Sequence, residues 1–147
     1  MKSRRSVITF TAIVVLGVVA SAYADTTNTR EKSLLGKRMF GVQFIWDGYG
    51  TALIKQADKV LTIDGAQYSK DKKDYCKING QIEVINERKF KVIGQISTNI
   101  NSCCGQIENT GEFVFLRSGK RKYWRLQDAD KFCDRFKKCA YYIDIFQ

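Results

Sequence analysis

Residues 89–98 read KFKVIGQIST, and their alternation decides the fold class. Phe90, Val92, Ile96 and Thr98 share one face of an extended chain, with Gly94 among them as a place for the strand to bend. The same period of two returns in YYIDIF, residues 141–146, where Tyr141, Ile143 and Ile145 point one way and Tyr142, Asp144 and Phe146 the other. Asp47-Gly48, Asp64-Gly65, Asn79-Gly80 and Ser118-Gly119 are dipeptides that tolerate positive φ and favour hairpin turns. They bound expected strands at 39–46, 51–56, 59–63, 81–85, 89–98, 111–117, 120–127 and 141–146.

One stretch carries a different period. In LQDADKFCDRFKKC, residues 126–139, Phe132 and Phe136 stand four apart, Leu126 lies near their stripe, and Asp128 occupies a capping position. The expected fold is therefore mainly all-β: a small antiparallel β-barrel or sandwich of about eight strands, with one short helix before the last strand. No repeat or linker divides it, so residues 34–147 are expected to form a single domain behind a polar lead-in, DTTNTREKS, at 25–33.

The first 24 residues read as a signal peptide. Lys2, Arg4 and Arg5 precede an apolar run from 7 to 19, and Ala22-Tyr23-Ala24 fits a cleavage site, leaving Asp25 as the mature N-terminus. A periplasmic or secreted protein is expected, with no transmembrane segment after cleavage. The chain has 25 basic and 15 acidic residues; the leader holds three of the basic ones, which leaves 22 against 15 and a mature charge of +7. That balance favours anionic partners.

Histidine is absent, which removes the Ser-His-Asp and Cys-His nucleophile systems and the usual catalytic zinc sphere. No catalytic residue, metal or cofactor is expected. The alternative is a hydrolase using carboxylates such as Asp47 and Asp144 on a glycan.

The five cysteines are Cys76, Cys103, Cys104, Cys133 and Cys139. Their spacing lacks the C-x-x-C of a redox pair and the paired knuckles of a structural zinc site. In an exported chain the reading is two disulfides and one remaining thiol, expected to be buried. Adjacent cysteines rarely pair with each other, so Cys103 and Cys104 should staple the stretch TNINSCCGQIENTG, read as a loop, to two other regions. Cys76 is one expected partner, and Cys133 or Cys139 the other. A local bridge between Cys133 and Cys139 is disfavoured because a helix would turn them apart.

Two surfaces are candidates for binding. In FIWDGYG, residues 44–50, Trp46 and Tyr49 flank a carboxylate and two glycines; rings so placed stack on a sugar, or else Trp46 plugs one end of the barrel. In RSGKRKYWRLQ, residues 117–127, Arg117, Lys120, Arg121, Lys122 and Arg125 gather around Tyr123 and Trp124. Cations there neutralise phosphate, sulfate or carboxylate while the rings stack. Lys72, Lys73, Lys137 and Lys138 would widen the patch if the fold brings them near.

The tail GKRKYWRLQ, followed by Cys133 and YYIDIF, resembles the closing segment of a group of small exported bacterial proteins that are uncharacterised. The resemblance implies no activity. The residues themselves point to a non-catalytic binding domain for an anionic glycan, lipid headgroup or peptidoglycan. Its expected ligand-binding residues are Lys120, Arg121, Lys122, Trp124, Arg125, Trp46 and Tyr49. Docking on a protein partner is the alternative, and nucleic acid is not an expected partner of an exported chain.

Overall fold

Alternation becomes a closed wall. In the computed structural model, which describes residues 29–133 and 139–147, eight strands run β1 (Gly36–Val42), β2 (Gly50–Ala57), β3 (Val60–Tyr68), β4 (Tyr75–Asn86), β5 (Lys89–Ile100), β6 (Gly105–Leu116), β7 (Tyr123–Leu126) and β8 (Ile143–Phe146). Each is antiparallel to the next, and β8 returns to β1 through Phe40↔Ile145, Gly41↔Asp144 and Val42↔Ile143. The fold is thus a barrel and not a sandwich. The expected signal peptide, residues 25–28 of the lead-in, and the expected places of Phe136, Lys137 and Lys138 lie outside the described residues.

The inward rows are the ones the period of two selects. Phe90, Val92, Ile96 and Thr98 on β5 are buried, as are Ile143 and Ile145 on β8 with Tyr141 just before them. Phe40, Ile54, Ile63, Ile78 and Phe115 join them from the other strands. Eight strands enclose a space that side chains of this size fill, and each such side chain contributes roughly 1.5–3 kcal/mol when fully removed from water. Outward positions such as Lys55, Thr62, Asp64, Lys77 and Asn79 are polar and exposed. Among the described residues, no helix is long and apolar enough to cross a membrane.

Two expected turns are strand interiors. Asp64-Gly65 lies within β3 and Asn79-Gly80 within β4. The hairpins turn instead at Asp58-Lys59, where both residues hold positive φ (49° and 65°), through residues 69–74, and at Glu87-Arg88. Glycine serves a different purpose at the misread positions. Gly80 faces Gly94, which faces Gly111 across the next pair. A Cβ on Gly94 would lie 2.1 Å from the Asn79 carbonyl oxygen, so the strands can approach here only without side chains. The bend expected at Gly94 falls on this row. Residues 69–74 and the cysteine loop also shrink what was read as irregular: β4 begins at Tyr75, and within TNINSCCGQIENTG only residues 101–104 turn.

Two further expectations change. The lead-in is helical over 29–33, within a turn of helix that reaches residue 34. The helical stretch before β8 is, where described, a 3-10 turn at Ala129–Phe132; Asp128 takes a left-handed backbone with φ 54° and forms no side-chain cap.

The strand alternation sorts the loops to two ends. Loops 43–49, 69–74, 101–104 and the β7–β8 connection share one end; turns 58–59 and 87–88 and the 117–122 loop share the other. Side chains tie the first group together in sequence. Asp47 Oδ2 accepts the Lys70 N–H at 2.9 Å, and Asp74 Oδ1 accepts the Asn101 N–H and side-chain amide, each at 3.1 Å. Cys103 then bridges to Cys139 and Cys104 to Cys133. Cys76, expected as a partner, is the free thiol: it points into the core from β4, where burial pushes its ionisation far above the ordinary range. The adjacent thiols do staple one turn to two other positions, both of them in the β7–β8 connection.

Candidate functional site

The closing strands β7 and β8 are short, so their outward side chains stand close to those of β1 and to loop 43–49. Arg125 and Asp144 are direct cross-strand partners, and Gly41 is the next residue across. The guanidinium and carboxylate meet in a two-pronged pair, Nε to Oδ1 at 2.8 Å and Nη2 to Oδ2 at 2.7 Å. Asp144, by hydrogen bonding first and charge second, holds Arg125 above its ordinary basicity.

Aromatic rings surround this pair. Arg125 lies 4.8 Å from the Tyr142 ring centre and 5.1 Å from that of Tyr123, and Arg121 lies 5.6 Å from the Tyr123 ring centre. Phe146 meets Tyr123 at 5.4 Å and Tyr49 at 5.0 Å. The result is a continuous outer stripe of Tyr142, Arg125, Tyr123 and Arg121, running from the cysteine end toward loop 117–122.

Loop 43–49 folds over the upper part of that stripe and leaves a cleft of about 300 Å³, lined among others by Trp46, Tyr49, Arg125, Tyr142, Asp144 and Phe146. Gly41 makes room for it: a Cβ there would come within 2.8 Å of the Tyr49 ring. Gln67, buried at the barrel mouth, fixes the loop. Its side-chain oxygen accepts the Val42 N–H at 2.6 Å, and its amide nitrogen donates to the carbonyls of Ile45 and Gly48. Trp46 is 82% exposed, so it is not a plug, and Tyr49 is 64% exposed.

The expected binding residues therefore divide. Trp46, Tyr49 and Arg125 come together at the cleft. Lys120, Arg121 and Lys122 are exposed in loop 117–122 at the opposite end and connect to the cleft through the stripe. Trp124 does not belong with them. It is 3% exposed and packs inward against Phe90, because alternation along a four-residue strand sends Tyr123 and Arg125 outward and Trp124 in. Arg117 is half-buried over the Trp124 ring. Lys72 and Lys73 lie in loop 69–74, at the wrong end to widen the basic patch. The two carboxylates of the hydrolase alternative are both engaged, Asp47 with Lys70 and Asp144 with Arg125.

Gln67, Tyr142 and Phe146 were not marked as site residues by sequence. Gln67 had a signal, as a polar residue in phase with the buried Leu61 and Ile63. Tyr142 and Phe146 share with Asp144 the face opposite Tyr141, Ile143 and Ile145, and nothing local in the sequence ties that face to loop 43–49.

Residues 20–147 match the PM1083 family. The chain is 37% identical over 122 residues to the uncharacterized protein PM1083 of Pasteurella multocida (strain Pm70), a match that covers 79% of this chain and 74% of the relative. No solved structure matches.

Proposed function

The chain belongs to the PM1083 family, and from that premise we propose that it is an exported, non-catalytic binding domain for an anionic glycan of the cell envelope or of a host surface. The stripe of Tyr142, Arg125, Tyr123 and Arg121, leading from the cleft to Lys120 and Lys122, carries the reading. An extended polymer with charged substituents suits a track of alternating cations and rings. Acidic groups pair with the cations, and ring faces stack on the sugar. A flat lipid surface suits it less, because the stripe lies along the side of the barrel. Two disulfides and the leader pattern of residues 1–24 support export, to the periplasm or beyond.

The test is a titration of the mature protein with a sulfated or uronic-acid polysaccharide over a salt series. Affinity falls as salt rises, and changing Lys120, Arg121 and Lys122 together to Glu weakens binding by roughly tenfold or more. Binding indifferent to both salt and charge reversal overturns the reading, as does binding confined to anionic vesicles or to a protein partner. Export is checked separately by intact mass: the mature chain begins at Asp25 and carries one alkylatable thiol, accessible only after denaturation.

A further inference from the structure

We propose that the cleft beneath loop 43–49 is a subsite for one uncharged pyranose unit, separate from the basic loop that takes the ligand's charge. The inference rests on the glycan reading above and sharpens it. Arg125 and Asp144 lie in the cleft already paired, with side chains about a quarter and a seventh exposed (27% and 14%). Together they offer N–H donors and carboxylate lone pairs with no net charge. An acidic group entering there meets the Asp144 carboxylate, and an ammonium meets the Arg125 guanidinium. Neighbouring hydroxyls of a sugar, each able to donate and to accept, satisfy both at once.

The walls agree with the floor. Trp46 and Tyr49 present exposed rings, the surfaces on which the C–H faces of a pyranose stack. The cleft's volume, about 300 Å³, falls at the lower end of the range for small-ligand sites. The loop that carries the rings is already fixed. Gln67 holds it from inside the barrel with two hydrogen bonds and anchors its base at Val42 with a third, and Asp47 holds it from outside. Little ordering of the loop backbone remains to be done on binding. Gln67 is thus a positioning residue for the subsite. Charge is met elsewhere, at Lys120, Arg121 and Lys122, beyond Tyr123 along the stripe.

The chain holds two tryptophans, and only Trp46 is exposed, so its fluorescence reports on the cleft. The experiment titrates the oxidised mature protein with maltotetraose, cellotetraose and the tetramer of N-acetylglucosamine. At least one gives a saturable change in emission that added salt leaves unaltered. Followed by calorimetry, which needs no tryptophan, Trp46→Ala abolishes binding, Tyr49→Ala weakens it about tenfold, and the Lys120/Arg121/Lys122→Glu variant retains it. Both aromatic substitutions are at exposed positions and leave folding intact. Gln67→Met, if it folds, frees loop 43–49, read as a fall in the fluorescence anisotropy of Trp46, and weakens the sugar without touching it. No response to any of the three neutral sugars overturns the subsite. If the acidic polysaccharide still binds, the wider reading stands without it; if that also fails, both fall. A response that persists in Trp46→Ala overturns the assignment to this cleft.

Discussion

The barrel wall has a broad side and a narrow side. On the broad side β4, β5 and β6 run twelve residues each: the β4–β5 ladder keeps register from Tyr75↔Asn99 to Val84↔Phe90 before a shift next to the turn, and the β5–β6 ladder keeps it from Ile100↔Gly105 to Lys89↔Leu116. On the narrow side β7 and β8 have four residues each, and β6 meets β7 only through Phe115↔Leu126 and Leu116↔Arg125. Backbone hydrogen bonds hold the first. Short ladders hold the second and side chains reinforce them: Trp124, Ile143 and Ile145 inside, the Arg125–Asp144 pair outside, and two disulfides across the end. The difference teaches that a short seam must be closed by side chains, and that side chains arranged for closure are also the ones a ligand can reach.

The comparison breaks most severely on the broad side. Gly94→Val places carbon against the Asn79 carbonyl, and neither backbone can yield; a loss of about 3 kcal/mol or more, or failure to fold, is expected in urea unfolding. A wild-type midpoint would show that the broad wall is not rigid there. Next come the bridges. Cys104→Ser with Cys133→Ser releases a tie spanning 29 residues and costs about 2–4 kcal/mol. Amide exchange should quicken in β7 and β8 before β4 and β5; equal loss on both sides would remove the distinction between them.

Smaller effects sharpen the contrast. Arg125→Met leaves Asp144 without its partner, and about 1–3 kcal/mol is expected, read by thermal melting. The broad side has its own ion group, Lys91 between Glu83 at 3.0 Å and Glu112 at 3.2 Å. Those carboxylates, Glu83 first, raise the Lys91 amine above its ordinary 10.5. A raised cation stabilises the fold below the unfolded value, and that contribution is lost as pH climbs through the folded one. Stability of the wild type should therefore fall more steeply above about pH 10.5 than that of Lys91→Met. Parallel curves would show that this group adds nothing to the wall.

Sequence reveals the inward faces of β5 and β8 better than the lengths of β4 and β6, for a physical reason. Alternation is local, so Phe90, Val92 and Ile96 announce their face without reference to the rest of the chain. Crowding is not local. Gly65 and Gly80 looked like turn residues because their sequence neighbours are Asp and Asn, whereas their role is set by strands lying opposite. Asp58-Lys59 turns with no glycine at all and gave no such signal. At the site, Trp46 and Tyr49 were visible as a motif. The Arg125–Asp144 pair joins residues 19 apart, and Gln67 reaches back 25 to Val42, distances at which no spacing rule speaks. The pairing expected of Cys76 fails for the same reason: only the alternation around Ile78 marks it as inward, and the pairing of Cys103 and Cys104 depends on where the β7–β8 connection passes.

Because β8 pairs with β1, the eight strands form a ring in which no strand is first by geometry. The order of the chain is one way of cutting that ring. A circular permutant that joins residue 147 to residue 36 through a short linker and opens at Asp58-Lys59 would keep every ladder except one hairpin connection. Both bridges would then fall in the interior of the permuted chain, and the cleft residues apart from Gln67 would lie on one continuous segment in which loop 43–49 follows β8 and β1.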